Sequence, residues 1–165
     1  MPKSDQGVTP QNYSVVPRTA IFLRRDGEYL LLKGASDKRL WPNLYNCLGG
    51  HVRSGEDVRS AAARELFEEA GLEADLWLGG TLVVDSGPIG VCLFIFLGDY
   101  TGGQIVSSRE GEVHWVAYEQ LAGLPHVEDL PALVDEIHKM RRGDEPFSAR
   151  SSYDEHTGLS VIFAK

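Results

Sequence analysis

Apolar and polar positions along this chain fall into short blocks, most of them strand-length. Residues 19–24 and 29–33 are apolar runs separated by Arg25-Asp26-Gly27-Glu28. Asp-Gly between two such runs predicts a tight hairpin. Residues 34–43, with their charges, Trp41 and Pro42, read as a loop, and residues 45–48 as a short strand running into Gly49-Gly50. Residues 57–70 form the clearest helix: Val58, Ala62, Leu66 and Ala70 repeat every four positions as one apolar stripe. Ser54 and Gly55 supply a turn before it, and Gly71 ends it as a C-terminal cap. Residues 76–84 and 90–97 predict two strands joined through 85–89. A turn over 98–103 and a strand over 112–116 follow. Residues 130–141 predict a second helix with Leu130, Leu133, Val134 and Ile137 on one face, and 146–164 a closing hairpin around 154–158. Strands, helix, strands and helix in that order predict an α+β sandwich, a mixed sheet with two main helices on its faces.

The first helix carries three carboxylates, Glu65, Glu68 and Glu69, largely off its apolar stripe. Spacings of three and four residues bring side chains together on a helix, where like charges repel. A cation between them gives such a cluster a physical reason. Taken alone, the same residues also read as a solvated helix face.

Composition narrows the partners. The chain has 165 residues, enough for one domain with a proper core, and a formal net charge of −8. That charge argues against a surface for a nucleic-acid backbone. Residues 91–97, the longest apolar run, are too short to span a bilayer, and the N-terminus lacks the apolar core of a signal peptide. Cys47 and Cys92 have no metal-ligand spacing and read as buried free thiols of a reducing compartment. The expectation is a cytoplasmic protein, monomer or homodimer, with a flexible tail over 1–15 and a single domain over 16–165.

The stretch from Gly50 to Leu72 resembles the Nudix box, Gx5Ex7REUxEExGU with U bulky and apolar. Gly50, Glu56, Arg64, Glu65, Leu66, Glu68, Glu69, Gly71 and Leu72 meet its fixed positions. The order of elements is also similar to that family's α/β/α sandwich. The resemblance implies hydrolysis of a nucleoside diphosphate linked to another moiety. Glu65, Glu68 and Glu69 are hard oxygen ligands suited to Mg2+ or Mn2+. By resemblance the Gly49 carbonyl would be a further ligand, Arg64 would orient a glutamate, and Glu56 would hold Arg64 or lie behind the ligands. The family usually recruits one more acid from a loop. Glu110 is favoured as metal ligand or base, with Glu112 its competitor and an ordinary charged loop the bland alternative.

Outside the box the chain resembles the branch that hydrolyses 8-oxo-dGTP. Tyr45-Asn46 before the Gly-Gly and Glu128-Asp129 opening the second helix sit where that branch reads the base. Each has an ordinary reading too: a strand-end Asn closing a turn, and acids favoured by a helix dipole. His126 stands where part of the branch has a stacking Trp, and His51 where Lys is common. Lys33 could reach the nucleotide or simply end its strand in solvent. The terminal hairpin, with Arg150 and Tyr153, reads as structural. The resemblance implies Mg-dependent conversion of a nucleoside triphosphate, an oxidised purine favoured, to monophosphate and pyrophosphate, with water attacking the β-phosphorus. Hydrolysis of ADP-ribose or a nucleotide sugar is the first alternative, and a non-catalytic nucleotide sensor the second.

Overall fold

The computed structural model describes residues 6, 7, 9, 11–154 and 158–164. They form strands β1 (Ser14–Arg25), β2 (Glu28–Gly34), β3 (Tyr45–Asn46), β4 (Trp77–Asp85), β5 (Ile89–Asp99), β6 (Gly111–Ala117), β7 (Phe147–Asp154) and β8 (Gly158–Phe163). Helices are α1 (Val58–Ala70) and α2 (Leu130–Ile137), with a 3-10 segment over Tyr118–Gly123. The strands make one mixed sheet in the order β3-β2-β1-β5-β4-β7-β8, and β6 pairs with β2 off that path. β1 runs parallel to β5 from Ser14↔Ile89 to Arg24↔Asp99, and β4 parallel to β7.

β1 explains the layering. Ala20 and Phe22 join the apolar cluster that contains Leu130, Leu133, Val134 and Ile137 of α2. Ile21 and Leu23 join the opposite cluster, with Ala62, Leu66 and Ala70 of α1. A strand buried on both faces reads as a continuous apolar run rather than an alternating one. The result is the expected α/β/α sandwich.

The turns follow the sequence. Asp26 (φ 45°) and Gly27 (φ 81°) both adopt the left-handed conformation that a two-residue hairpin requires. Asp57 caps α1, its carboxylate accepting from the Arg59 and Ser60 N–H groups. Gly71 ends the helix at φ 68° and donates to the Phe67 carbonyl.

Several boundaries differ from the sequence reading. β1 begins at Ser14, because its outer half is held by pairing with β5 rather than by its own apolar content. The expected tail over 1–15 therefore loses its last two residues to β1, and part of it lies outside the described residues. β3 stops at Asn46, and Leu48 bridges to Ile21 of β1 instead. α2 ends at Ile137: the Lys139 and Met140 N–H groups donate to carbonyls only three residues back, Glu136 and Ile137, and Asp144 takes the Arg141 N–H. The terminal hairpin is present, though residues 155–157 at its tip lie outside the described residues. Cys47 and Cys92 are free, as expected, but half-buried. Among the described residues, no helix is long and apolar enough to cross a membrane.

β2 pairs with β1 only beside the hairpin, at Arg24↔Tyr29 and Arg25↔Glu28, and then turns away to β3 and β6. Residues 48–51 fill the gap. Ile21 N–H donates to the Leu48 carbonyl and Thr19 N–H to the Gly50 carbonyl, both at 2.8 Å. Gly49-Gly50 is thereby pinned to the central strand, opposite α1.

Leu66 is fully buried under α1. Leu66→Ala is expected to cost about 3 kcal/mol by cavity formation, read from the urea midpoint. A loss under about 1 kcal/mol would show that the α1 face is not tightly packed.

Candidate active site

Two glycines shape the floor. Gly49 has φ 130°, and a Cβ there would drive into the Thr19 carbonyl. A Cβ on Gly50 would meet the Glu65 carboxylate 2.5 Å away. Each glycine thus permits one close approach, strand to loop and loop to helix.

Glu69 is the least expected placement. It departs from the reading that the glutamates lie off the apolar side of α1, for its exposure is only 5%. Its Oε2 accepts from the Gly49 N–H at 2.7 Å. Burial pushes its carboxyl up to about 8; the charges of Glu65 and Glu110 push the same way, while the Gly49 N–H and Lys38 oppose them.

Arg64 ties the other acids together. Its Nε and Nη2 grip both oxygens of Glu56 at 2.8 and 3.0 Å. Its Nη1 donates to Glu65 at 2.7 Å and to Glu68 at 3.2 Å, and Nη2 also reaches the His51 carbonyl at 3.1 Å. These bonds, with the Arg53 N–H, hold Glu56 down to about 2 and raise Arg64 above its ordinary value. Arg53 lies across Glu68 at 3.2 Å.

Glu110 lies just outside β6, beside the Ser108↔Gly111 bridge, and forms an ion pair with Lys38. Its charge acts on Glu69. Glu112, inside β6, is more exposed and faces His114 at 3.4 Å. The geometry therefore favours Glu110 over Glu112 as the acid that faces α1.

The residues expected to meet the base spread over neighbouring segments. Tyr45 pairs with Lys33 on β2 and bridges to His126, and its ring meets His114 edge-on. Asn46 Oδ1 accepts from the Cys47 N–H at 2.8 Å, the local reading of a strand-end Asn. Asp129 is the N-cap residue of α2 without a capping side-chain bond, and burial raises its carboxyl. It acts on the Cys47 thiol, which burial also raises. Tyr153 of β7 lies in the field of Glu128 and Asp129, its phenol raised first by burial and then by those charges.

The sequence reading missed Lys38, Arg53 and Thr19, whose hydroxyl accepts from the Gly50 N–H at 3.3 Å. Nothing in the spacing marks Lys38 or Thr19, because loop closure and strand pairing bring them in. Arg53 lies within the box stretch and could have been suspected from its charge alone.

Among the described residues, no three His, Cys, Asp or Glu side chains converge as a ready metal cluster. Arg64 pairs with Glu65 and Glu68, and Arg53 with Glu68. The donors nevertheless fit a divalent cation in chemistry. They are hard carboxylate oxygens, and Glu69 is a buried acid repelled by its neighbours, a charge state that a cation would relieve. Each carboxylate keeps lone pairs beyond those that accept from Arg64 and Arg53, so the same side chains can be oriented by arginine and still face a cation.

A family model described as the NUDIX domain matches residues 15–137, leaving β7 and β8 beyond it. The NAD-capped RNA hydrolase NudC of Edwardsiella ictaluri is 32% identical over 118 residues, covering 68% of this chain and 43% of that protein. The nucleoside triphosphatase NudI of Escherichia coli (strain SE11) is 43% identical over 50 residues, covering 30% of this chain and 36% of that protein. The chain spans less than half the length of these curated relatives. A MutT protein from Bacillus halodurans has the same fold, with a TM-score of 0.74 at 20% identity over 90% of this chain and 97% of that one.

A carboxyl with a raised folded pKa binds its proton more tightly in the fold. The stability it contributes is present below the ordinary value of 4.5 and is lost as pH rises through about 8. Metal-free protein is expected to weaken across that window. Glu69→Gln, which keeps an acceptor for Gly49, should weaken less, by about 2 kcal/mol at the alkaline end. Urea unfolding at both ends of the window measures this, and identical profiles would show that Glu69 ionises normally.

Proposed function

The chain belongs to the Nudix family, and on that premise we propose that it hydrolyses a nucleoside triphosphate to the monophosphate and pyrophosphate. An oxidised purine such as 8-oxo-dGTP is the favoured substrate. The observation that carries the reading is the row Glu65, Glu68 and Glu69, cross-tied by Arg64 and set against Gly49-Gly50.

Glu65, Glu68 and Glu69, with the Gly49 carbonyl and Glu110, would hold Mg2+ or Mn2+. The bound cation supplies charge neutralisation on the anhydride oxygens and a more acidic water. The protein's own part is positioning. Arg64, anchored by both oxygens of Glu56, fixes the carboxylates in direction. Glu110 approaches Glu69 from the loop before β6 and serves as a further ligand or as the acceptor of the water's proton. On the nucleoside side, Tyr45, Asn46, Glu128 and Asp129 define the base region, and Lys33 lies beside Tyr45. Burial raises the Asp129 carboxyl, and in its protonated form it would donate to a base acceptor as well as accept.

A second reading is favoured by the match to a protein named for hydrolysing NAD-capped RNA: cleavage of the pyrophosphate inside a dinucleotide or a sugar nucleotide. Turnover with Mg2+ across dNTPs, 8-oxo-dGTP, NAD and ADP-ribose separates the two. The first reading expects the highest kcat/KM on a triphosphate. Glu68→Gln is expected to lower it at least about a hundredfold while the folded spectrum persists. Wild-type turnover in that variant would remove Glu68 from the metal site, and a preference for ADP-ribose or NAD would replace the triphosphate reading.

A further inference from the structure

The cations around the site are nearly all matched to acids. Arg64 is tied to Glu56, Glu65 and Glu68, Arg53 to Glu68, and Lys38 to Glu110. Arg18 and Lys33 are the exceptions: among the described residues neither forms an ion pair with a carboxylate. Of the two, Arg18, half-buried on β1, is the one held by a side-chain bond. Its Nε donates instead to His51 Nε2 at 3.1 Å. The bond fixes the direction of the guanidinium without a carboxylate to cancel its charge.

The position of the pair gives the charge a use. Arg18↔His51 is the outer rung of the ladder that pins residues 48–51 to β1. Each partner lies one residue beyond Thr19 and Gly50, and Gly50 abuts the Glu65 carboxylate. Alternation along β1 puts Arg18 on the face of Ala20 and Phe22, which pack on the α2 side. Cys47 packs on that same side, within the field of Asp129. Arg18 thus neighbours the carboxylate row through Gly50 and shares a face with the acids that open α2. In a chain of net charge −8, a guanidinium held there without an acid is matched to a bound anion.

We propose that Arg18, aimed by His51, binds the phosphate nearest the nucleoside, bridging the base region and the carboxylate row. The assignment rests on the nucleotide reading of the site and adds a specificity residue to it: Arg18 selects nucleotides over nucleosides independently of the metal.

The test is binding without catalysis. Calorimetry without divalent cation would compare 8-oxo-dGMP with 8-oxo-2′-deoxyguanosine on wild type, Arg18→Gln and Arg18→Lys. Arg18→Gln is expected to weaken monophosphate binding about tenfold or more and to leave nucleoside binding unchanged, with partial recovery in Arg18→Lys. His51→Ala should give a smaller loss, because the charge stays but its direction is freed. Equal monophosphate affinity in wild type and Arg18→Gln would overturn the assignment while leaving the nucleotide site standing. An equal loss for nucleoside and monophosphate would reduce Arg18 to a packing role. Absence of monophosphate binding by wild type without the cation would overturn the assignment, whereas absence of turnover on every nucleotide with Mg2+ would remove the reading beneath it.

Discussion

A buried carboxyl group that accepts one backbone N–H sets the terms for the rest of this molecule. Glu69 sits against Gly49 at 2.7 Å, and burial works against its charge. The bond requires Gly49 to lie directly opposite α1, which requires residues 48–51 to occupy the gap that β2 leaves beside β1. That in turn requires a glycine wherever Thr19 and Glu65 come close. The Gly-Gly pair, the diverging hairpin and the buried face of α1 are therefore one constraint seen from three sides.

Around that point the arginines act as struts. Arg64 grips Glu56 through two parallel bonds and keeps Nη1 for the helix acids. Geometric fixation is the plainer gain, since half-exposed ion pairs such as Arg53–Glu68 add little to stability. Glu56 is better enclosed, and its bidentate pairing directs the guanidinium toward α1.

The legible parts of the sequence were those with local causes. The Asp26-Gly27 turn, the stripe on α1 and its Gly71 stop need only neighbours in the chain, and each appears as read. The carboxylate row was legible because helical spacing fixes it. What could not be read depended on long-range pairing. The outer end of β1 is exposed and carries Pro17, so it reads as no strand until β5 lies beside it. Glu69 looked like a surface acid because its depth is set by the loop across from it, not by its place on the helix. Lys38 and Arg18 carry no spacing signal, since a loop and a strand register bring them to the site.

The parallel ladder between β1 and β5 also has a consequence for synthesis. Its partners stand 75 residues apart at Arg24 and Asp99. During translation the N-terminal hairpin and α1 emerge well before the strand that completes the centre of the sheet. Until then the flank of β1 that will receive β5 is an open hydrogen-bonding edge on a nascent chain. The emerging polypeptide thus passes through a stage in which its sticky edge is available to neighbouring chains, a hazard that ends only when β5 has left the ribosome.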